Sequence, residues 1–485
     1  MLAVSQCRNQ VTGETAELFY VANREPSMMK RLAKAAFSQN SLTAPIVSTF
    51  VYLISVVRVV LNGNWPVTSS DTAMFQHIGW MVFSGKRYYI DAWDPKPPLT
   101  LELATIIAYI SNGDPHLQHT LSVVSTIVAG ILLTYLISHI TSEITGNQFA
   151  GLLSGIVFIT FPVIHYSPVF GYEPKYFVFL FGLGSIYLSR NPKPILSGAA
   201  AAASAGMWQF AIIFPIISFG IISRQKSKDL ILKYVFGATI IAFISLLPIY
   251  LQGGLVAMTV EVIIAPLYAG ETQSFLYRLV KGVTHLKLMI PIALLGMAGI
   301  LLGFLDDIRE RWWVVGLLLW FCIQIFILDY DGADDLFLGI ILVSMGIGFA
   351  FEKLSTKYES ERINSIVTAV VVCMLIWQVV TLGGVGVITN PYSYSGDGPD
   401  QAILESGIQQ FAHLSGYTEY TIGGSPPDEQ YNVKSRYGPD KIEELFFTST
   451  IPSTCHYRLS GMELEWMNLT EQSFTEEKCG KWRLP

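Results

Sequence analysis

Residues 69–99 read SSDTAMFQHIGWMVFSGKRYYIDAWDPKPPL. They form the longest polar, charged and aromatic interruption in the first half of a strongly apolar chain. Asp71, His77, Lys86, Arg87, Asp91, Asp94 and Lys96 crowd into this one stretch. On either side lie apolar runs, several reaching the ~20 residues needed to cross a ~30 Å hydrocarbon core. The 485 residues are 51% hydrophobic and 14% charged, whereas a soluble domain is about 25% charged. The composition predicts an all-α polytopic membrane protein. It excludes a soluble globular enzyme and a basic nucleic-acid binder. The net charge of −6 carries little information, because charge in such a chain acts loop by loop.

Working outward from that stretch gives a topology. Residues 1–42 are polar, with Arg24, Lys30, Arg31 and Lys34 and no early apolar core. They read as a cytoplasmic N-terminal segment without a cleavable signal. The first span covers 44–61, with Arg58 near its outer end and able to snorkel. Residues 63–118 then form one large external loop. Within it 98–110 is apolar but too short to span, so it is expected as a juxtamembrane helix. Spans follow at 121–140, 149–166 and 176–188, with a short external turn at 167–175 that carries Glu173. Residues 195–222 fit two short helices meeting near Gly206, Met207, Trp208 and Gln209. Further spans are expected at 230–251, 288–305, 313–328, 336–351 and 366–388, about eleven in all. Basic residues Arg190, Lys193, Arg224, Lys226, Lys228, Arg309, Arg311 and Lys353 mark the cytoplasmic side.

An odd count places the tail, 389–485, outside as a small α+β domain. The transmembrane domain is thus 43–388. The tail holds Cys455 and Cys479, a candidate disulfide, and Asn468 in an Asn-Leu-Thr sequon, the expected N-glycosylation site. Cys322 and Cys373 lie in apolar runs and read as packing residues.

Three groups have the composition of a chemical site. Ser70 precedes Asp71 and an apolar face of helical period: Met74, Phe75, Ile78, Met81 and Val82. A carboxylate in a helix's first turn is stabilised in its charged form by the dipole, which suits a general base. Lys96 stands before Pro97 and Pro98, which hold its backbone extended. A fixed ammonium beside lipid headgroups suits a phosphate. Glu173 precedes Pro174 at the start of another helix. The topology brings Asp71 and Glu173 to the same side. In addition, Arg278, Lys281 and His285 share one face of a predicted amphipathic helix, opposite Phe275, Leu279, Val283 and Leu286, and that basic face is expected at lipid headgroups. Asp329, Asp331, Asp334 and Asp335 read as a solvated turn, because position 340 is Ile where a calcium loop needs Glu. No phosphate-binding Gly-rich loop, His-Glu-x-x-His or Cys-x-x-Cys occurs.

Asp71, the Lys96-Pro97-Pro98-Leu99 run and Glu173-Pro174, in this topology, resemble the GT-C glycosyltransferases. The nearest likeness is to dolichyl-phosphate-mannose–protein mannosyltransferases and lipid A aminoarabinose transferases. The resemblance implies transfer of mannose or another hexose from a polyprenyl or dolichyl phosphate, with inversion, to a glycan, protein or lipid acceptor on the external face. It implies catalytic roles for Asp71 and Glu173. Lys96, with Arg278 and Lys281, would bind the donor phosphate. His77, Asp94, Tyr172 and His285 would contact substrate. No metal ligand set and no cofactor is required by the sequence, while a divalent metal shared by Asp71 and Glu173 stays open. The chain departs from the protein mannosyltransferases in having Lys-Pro-Pro for His-Pro-Pro and in lacking a sugar-binding repeat domain. Its acidic external tail suits S-layer protein glycosylation. A transporter or flippase for a lipid-linked solute is the alternative. Against it, charged groups gather in loops rather than mid-span, and no repeat is visible.

Overall fold

The computed structural model describes residues 42–61, 70–89, 94–191, 193–259, 262–263, 274–286, 289–306, 308–328, 330 and 332–358. The expected N-terminal segment, the span at 366–388, the α+β tail with Cys455, Cys479 and Asn468, and Asp91, Asp329 and Asp331 lie outside the described residues.

All regular elements among the described residues are helical. Helix α1 is Thr43–Leu61, α2 Ser70–Phe83 and α3 Pro98–Ile110. Pro98 opens α3 because a first-turn residue needs no amide hydrogen. Helix α4, Pro115–Thr145, is capped by Asp114, which accepts from Leu117 N at 2.7 Å, and stops at Gly146 in the left-handed region. Helix α5, Gln148–Thr160, breaks at Phe161-Pro162 into α6, Pro162–Tyr166, and a tight 3-10 turn, Ser167–Phe170. Then come α7 Pro174–Arg190, α8 Pro194–Ala205, α9 Ile213–Arg224 and α10 Lys228–Leu251. The short α11 Leu255–Thr259 precedes α12 Phe275–Leu286, α13 Ile290–Asp306, α14 Ile308–Ile323 and α15 Phe337–Tyr358.

The protein is an all-α polytopic membrane protein. Among the described residues five helices are long and apolar enough to cross a membrane, or up to seven if each of two bent pairs is one span. The first pair is Gln148–Thr160 with Pro162–Phe170, bent by 77°. The second is Phe275–Leu286 with Ile290–Leu305, bent by 110°. The larger count expected from sequence also included α7, which is 17 residues long, and the short helices α8 and α9.

Helix α15 is the axis of the bundle. Its span is 94% buried, against 17% for Lys228–Leu251, whose apolar side chains are mostly exposed. Phe337 at its start stacks on Phe179 of α7, ring centroids 4.9 Å apart. Small residues allow the tightest crossings. A Cβ on Gly299 of α13 would lie 1.9 Å from Gly346 O of α15, and one on Gly237 of α10 would lie 2.0 Å from Ile195 O of α8. Close backbone approach of this kind is how helices associate in lipid, where hydrophobicity alone gives no preference for protein over acyl chain.

The two ends of the bundle differ chemically. One gathers Arg190 with Glu310 at 3.8 Å, Arg224 on Arg309 O at 3.1 Å, and Arg311 with Glu352 at 3.3 Å. Helix α7 runs from that end over ~25 Å at 1.5 Å per residue to Glu173 at the other.

Candidate functional site

The N-terminus of α2 is tied to the loop before α7. Asp71 is exposed in the first turn of α2. Next to it Thr72 Oγ1 donates to Phe170 O at 2.8 Å. Gln76 Nε2 donates to Thr72 O at 2.8 Å, Gln118 Nε2 donates to Gln76 O at 2.7 Å, and His119 Nδ1 lies 3.2 Å from Gln76 Oε1. From α4, Thr126 Oγ1 donates to Gly171 O at 3.0 Å and accepts from Glu173 N at 3.2 Å. Gly171 has φ +125°, and a Cβ there would lie 2.5 Å from Gln76 Nε2. Only glycine fits this close approach. The carboxyls of Asp71 and Glu173 thereby come within electrostatic reach of each other.

Glu173 caps α7, its Oε1 accepting from Lys175 N at 3.3 Å. Burial pushes its carboxyl up to about 8. Asp334 adds to the rise, Lys175 opposes it, and Asp71 adds a smaller increment. Lys175 is nearly buried, with Nζ bonded to the Asp334 carboxylate and 2.6 Å from Asp335 Oδ1, over the Trp208 ring at 5.1 Å. Asp335 Oδ2 also accepts from Gly332 N at 2.9 Å. The solvated acidic turn expected from sequence is corrected at these two positions. Asp334 and Asp335 lock the start of α15 onto the start of α7, because a buried ammonium needs compensating charge. Sequence spacing held no signal for a pair 160 positions apart.

The second side is the Lys96 loop. Asp94 is fully buried, with Oδ1 accepting from Lys96 N at 2.7 Å and Oδ2 without a hydrogen-bond partner among the described residues. Burial raises its carboxyl to about 7, Lys96 opposes this, and Asp71 adds to it. Buried against the Lys96 backbone, Asp94 shapes the loop that carries Lys96. Tyr89 Oη donates to Lys96 O at 2.7 Å. Gln209 Nε2 donates to Pro95 O, Leu99 N to Gly206 O at 2.9 Å, and Thr100 Oγ1 to Met207 O at 2.6 Å.

The Tyr172 ring is fully buried, edge-on to Phe75 at 6.1 Å and packed among Ala104 and Ile107, and so joins α2 to α3. His77 stands on α2 beyond Asp71. Arg58, expected to snorkel, bonds to the Tyr166 side chain.

Helix α12 has its faces reversed from expectation. Phe275, Leu279 and Val283 are exposed, while Arg278 is buried and donates from Nη1 to Ile325 O at 3.2 Å. Lys281 Nζ lies 5.6 Å from the Tyr330 ring, and His285 Nδ1 lies 3.0 Å from Tyr330 Oη. The polar side thus turns inward. Burial and the carboxylates of Asp335 and Asp334 push the Tyr330 hydroxyl up. Among the described residues no three His, Cys, Asp or Glu are placed to hold a metal ion.

The site therefore has two carboxyl-bearing helix starts joined through Thr72 and Thr126, a clamped lysine loop, and an amphipathic helix presenting cations inward. Residues 85–247 match the family of DolP-mannose mannosyltransferases. The match is consistent with a mannosyltransferase of the GT-C superfamily and supports a membrane glycosyltransferase using a dolichyl-phosphate sugar. The matched stretch contains Lys96, Glu173, Lys175 and Gln209; Asp71 precedes it, and Arg278 and Asp334 follow it.

Proposed function

We propose that the chain transfers mannose or another hexose from dolichyl or polyprenyl phosphate to a hydroxyl of a glycan, protein or lipid acceptor on the extracytoplasmic face. The observation that carries this reading is the hydrogen bonding of Thr72 to Phe170 O and of Thr126 to Gly171 O and Glu173 N, which joins the start of α2, where Asp71 stands, to the loop that carries Glu173. The face follows from the cluster of Arg190, Arg224 and Arg311 at the opposite end, which the positive-inside rule puts in the cytoplasm.

Asp71, exposed, takes the proton from the acceptor hydroxyl as the oxygen attacks the sugar's anomeric carbon. The new C–O bond forms on the face opposite the phosphate, so configuration inverts. The bond between that carbon and the phosphate oxygen breaks, and the polyprenyl phosphate leaves with the electron pair. Lys96 holds the phosphate charge, which grows as the bond breaks. Lys281 and Arg278 add positive potential from α12. Glu173 keeps its proton near neutrality and donates a hydrogen bond to a substrate hydroxyl. Asp71 as the base and Glu173 as the hydrogen-bond donor divide the two roles between them.

The test uses purified full-length protein, radiolabelled dolichyl-phosphate mannose and acceptor membranes from a deletion strain. Asp71→Asn should lower the rate by about 10²–10⁴-fold, the usual contribution of a general base. Full transfer by this variant would remove Asp71 from the mechanism.

A further inference from the structure

The Lys96 loop is held by a device with no counterpart at an ordinary turn. Tyr89 sits at φ +58°, fully buried, a costly conformation for a bulky side chain. Its hydroxyl and Asp94 grip the two sides of the Lys96 backbone, O and N. Tyr88 N donates to Gln252 Oε1 at 2.9 Å, and a Cβ on Gly254 would lie 2.7 Å from Tyr88 O, so the end of α10 is pressed against the loop from outside. One side chain joins these parts. The Gln209 amide Nε2 donates both to Pro95 O, adjoining Lys96, and to Val262 O at 3.3 Å, beyond α10. Its neighbour Trp208 covers Lys175, next to Glu173.

We infer that Gln209 is a positioning residue for donor binding: its amide fixes the Pro95–Lys96 backbone against the 262 segment and so sets where the Lys96 ammonium meets the donor phosphate. Gln209 touches neither reacting atom. It acts through the loop, between the part that binds phosphate and the turn that abuts Glu173. The inference rests on the reading of Lys96 as the phosphate ligand.

Steady-state kinetics with dolichyl-phosphate mannose test it on the full chain. Gln209→Ala and Gln209→Met should each raise the donor KM by about tenfold, equivalent to one or two lost hydrogen bonds, with a smaller change in kcat. The Met variant keeps the volume, adds no charge and loses the N–H donors. A space-filling role therefore predicts normal kinetics for Met and a defect for Ala alone, and that result overturns the inference. So does a donor KM unchanged in both, or a loss confined to kcat. Lys96→Met separates the two readings. If it raises donor KM while the Gln209 variants do not, only the positioning role fails. If it leaves donor KM unchanged, the phosphate role of Lys96 fails and the inference falls with it.

Discussion

Glu173 and Lys175 show how much one side chain's setting depends on groups far away in the chain. The carboxyl at 173 is raised to about 8 by burial and by Asp334, against the opposing ammonium of Lys175. A raised carboxyl is protonated below its pKa and ionised above it. If its proton is the useful form, turnover falls as pH rises through about 8. Glu173→Gln, which keeps an N–H donor at every pH, should remove that alkaline limb and stay more active than Glu173→Ala. A pH–rate profile on saturating donor reads this directly, and a rate that climbs through pH 8 in the wild type would assign Glu173 to base chemistry instead. The carboxylates at 71 and 173 were legible in sequence because each opens a helix beside a turn. Lys175 was not, since its partners lie 159 and 160 positions later and neither charge is unusual in its own segment. The full burial of Asp94 and Tyr172 was hidden for the same reason. Composition puts a polar or aromatic residue near a site, but burial decides whether it meets substrate or backbone.

At the level of elements, periodicity predicted α3, α8, α9 and α12 well, including the break near Gly206. What it did not give was the direction in which α12 turns. An amphipathic stripe looks the same whether its polar side meets headgroups or an internal polar chamber, and lipid on the other side accepts Phe275, Leu279 and Val283 equally. Crossings are another property of pairs of elements. Gly299 against Gly346 brings backbone to backbone between α13 and α15. Gly299→Leu should destabilise the bundle by at least about 3 kcal/mol, the upper range of overpacking, and lower the thermal midpoint in detergent. An unchanged midpoint would show that these helices separate at little cost.

For the whole molecule the prediction concerns orientation. The basic end carries Lys226 and the site end Asn112, both exposed. In a background with the five natural cysteines replaced by serine, Asn112→Cys should react with an impermeant maleimide on intact cells. Lys226→Cys should react only after permeabilisation. The reverse pattern would place the site in the cytoplasm and overturn the proposed face of transfer.

The sequence by itself determined the solvent this protein folds in, the helices, their polar ends and the residue types at two helix starts. These are local properties: hydropathy, periodicity, and the chemistry of Pro, Asp and Glu at a first turn. Tertiary structure decided which polar groups are buried, that Lys175 is enclosed by Asp334, Asp335 and Trp208, and that Gln209 spans two loops. Those outcomes depend on desolvation and on contacts between segments more than a hundred residues apart in one case and fifty in another. No window along the chain contains both partners of such a contact, and the energy of a buried charge is set by its partner.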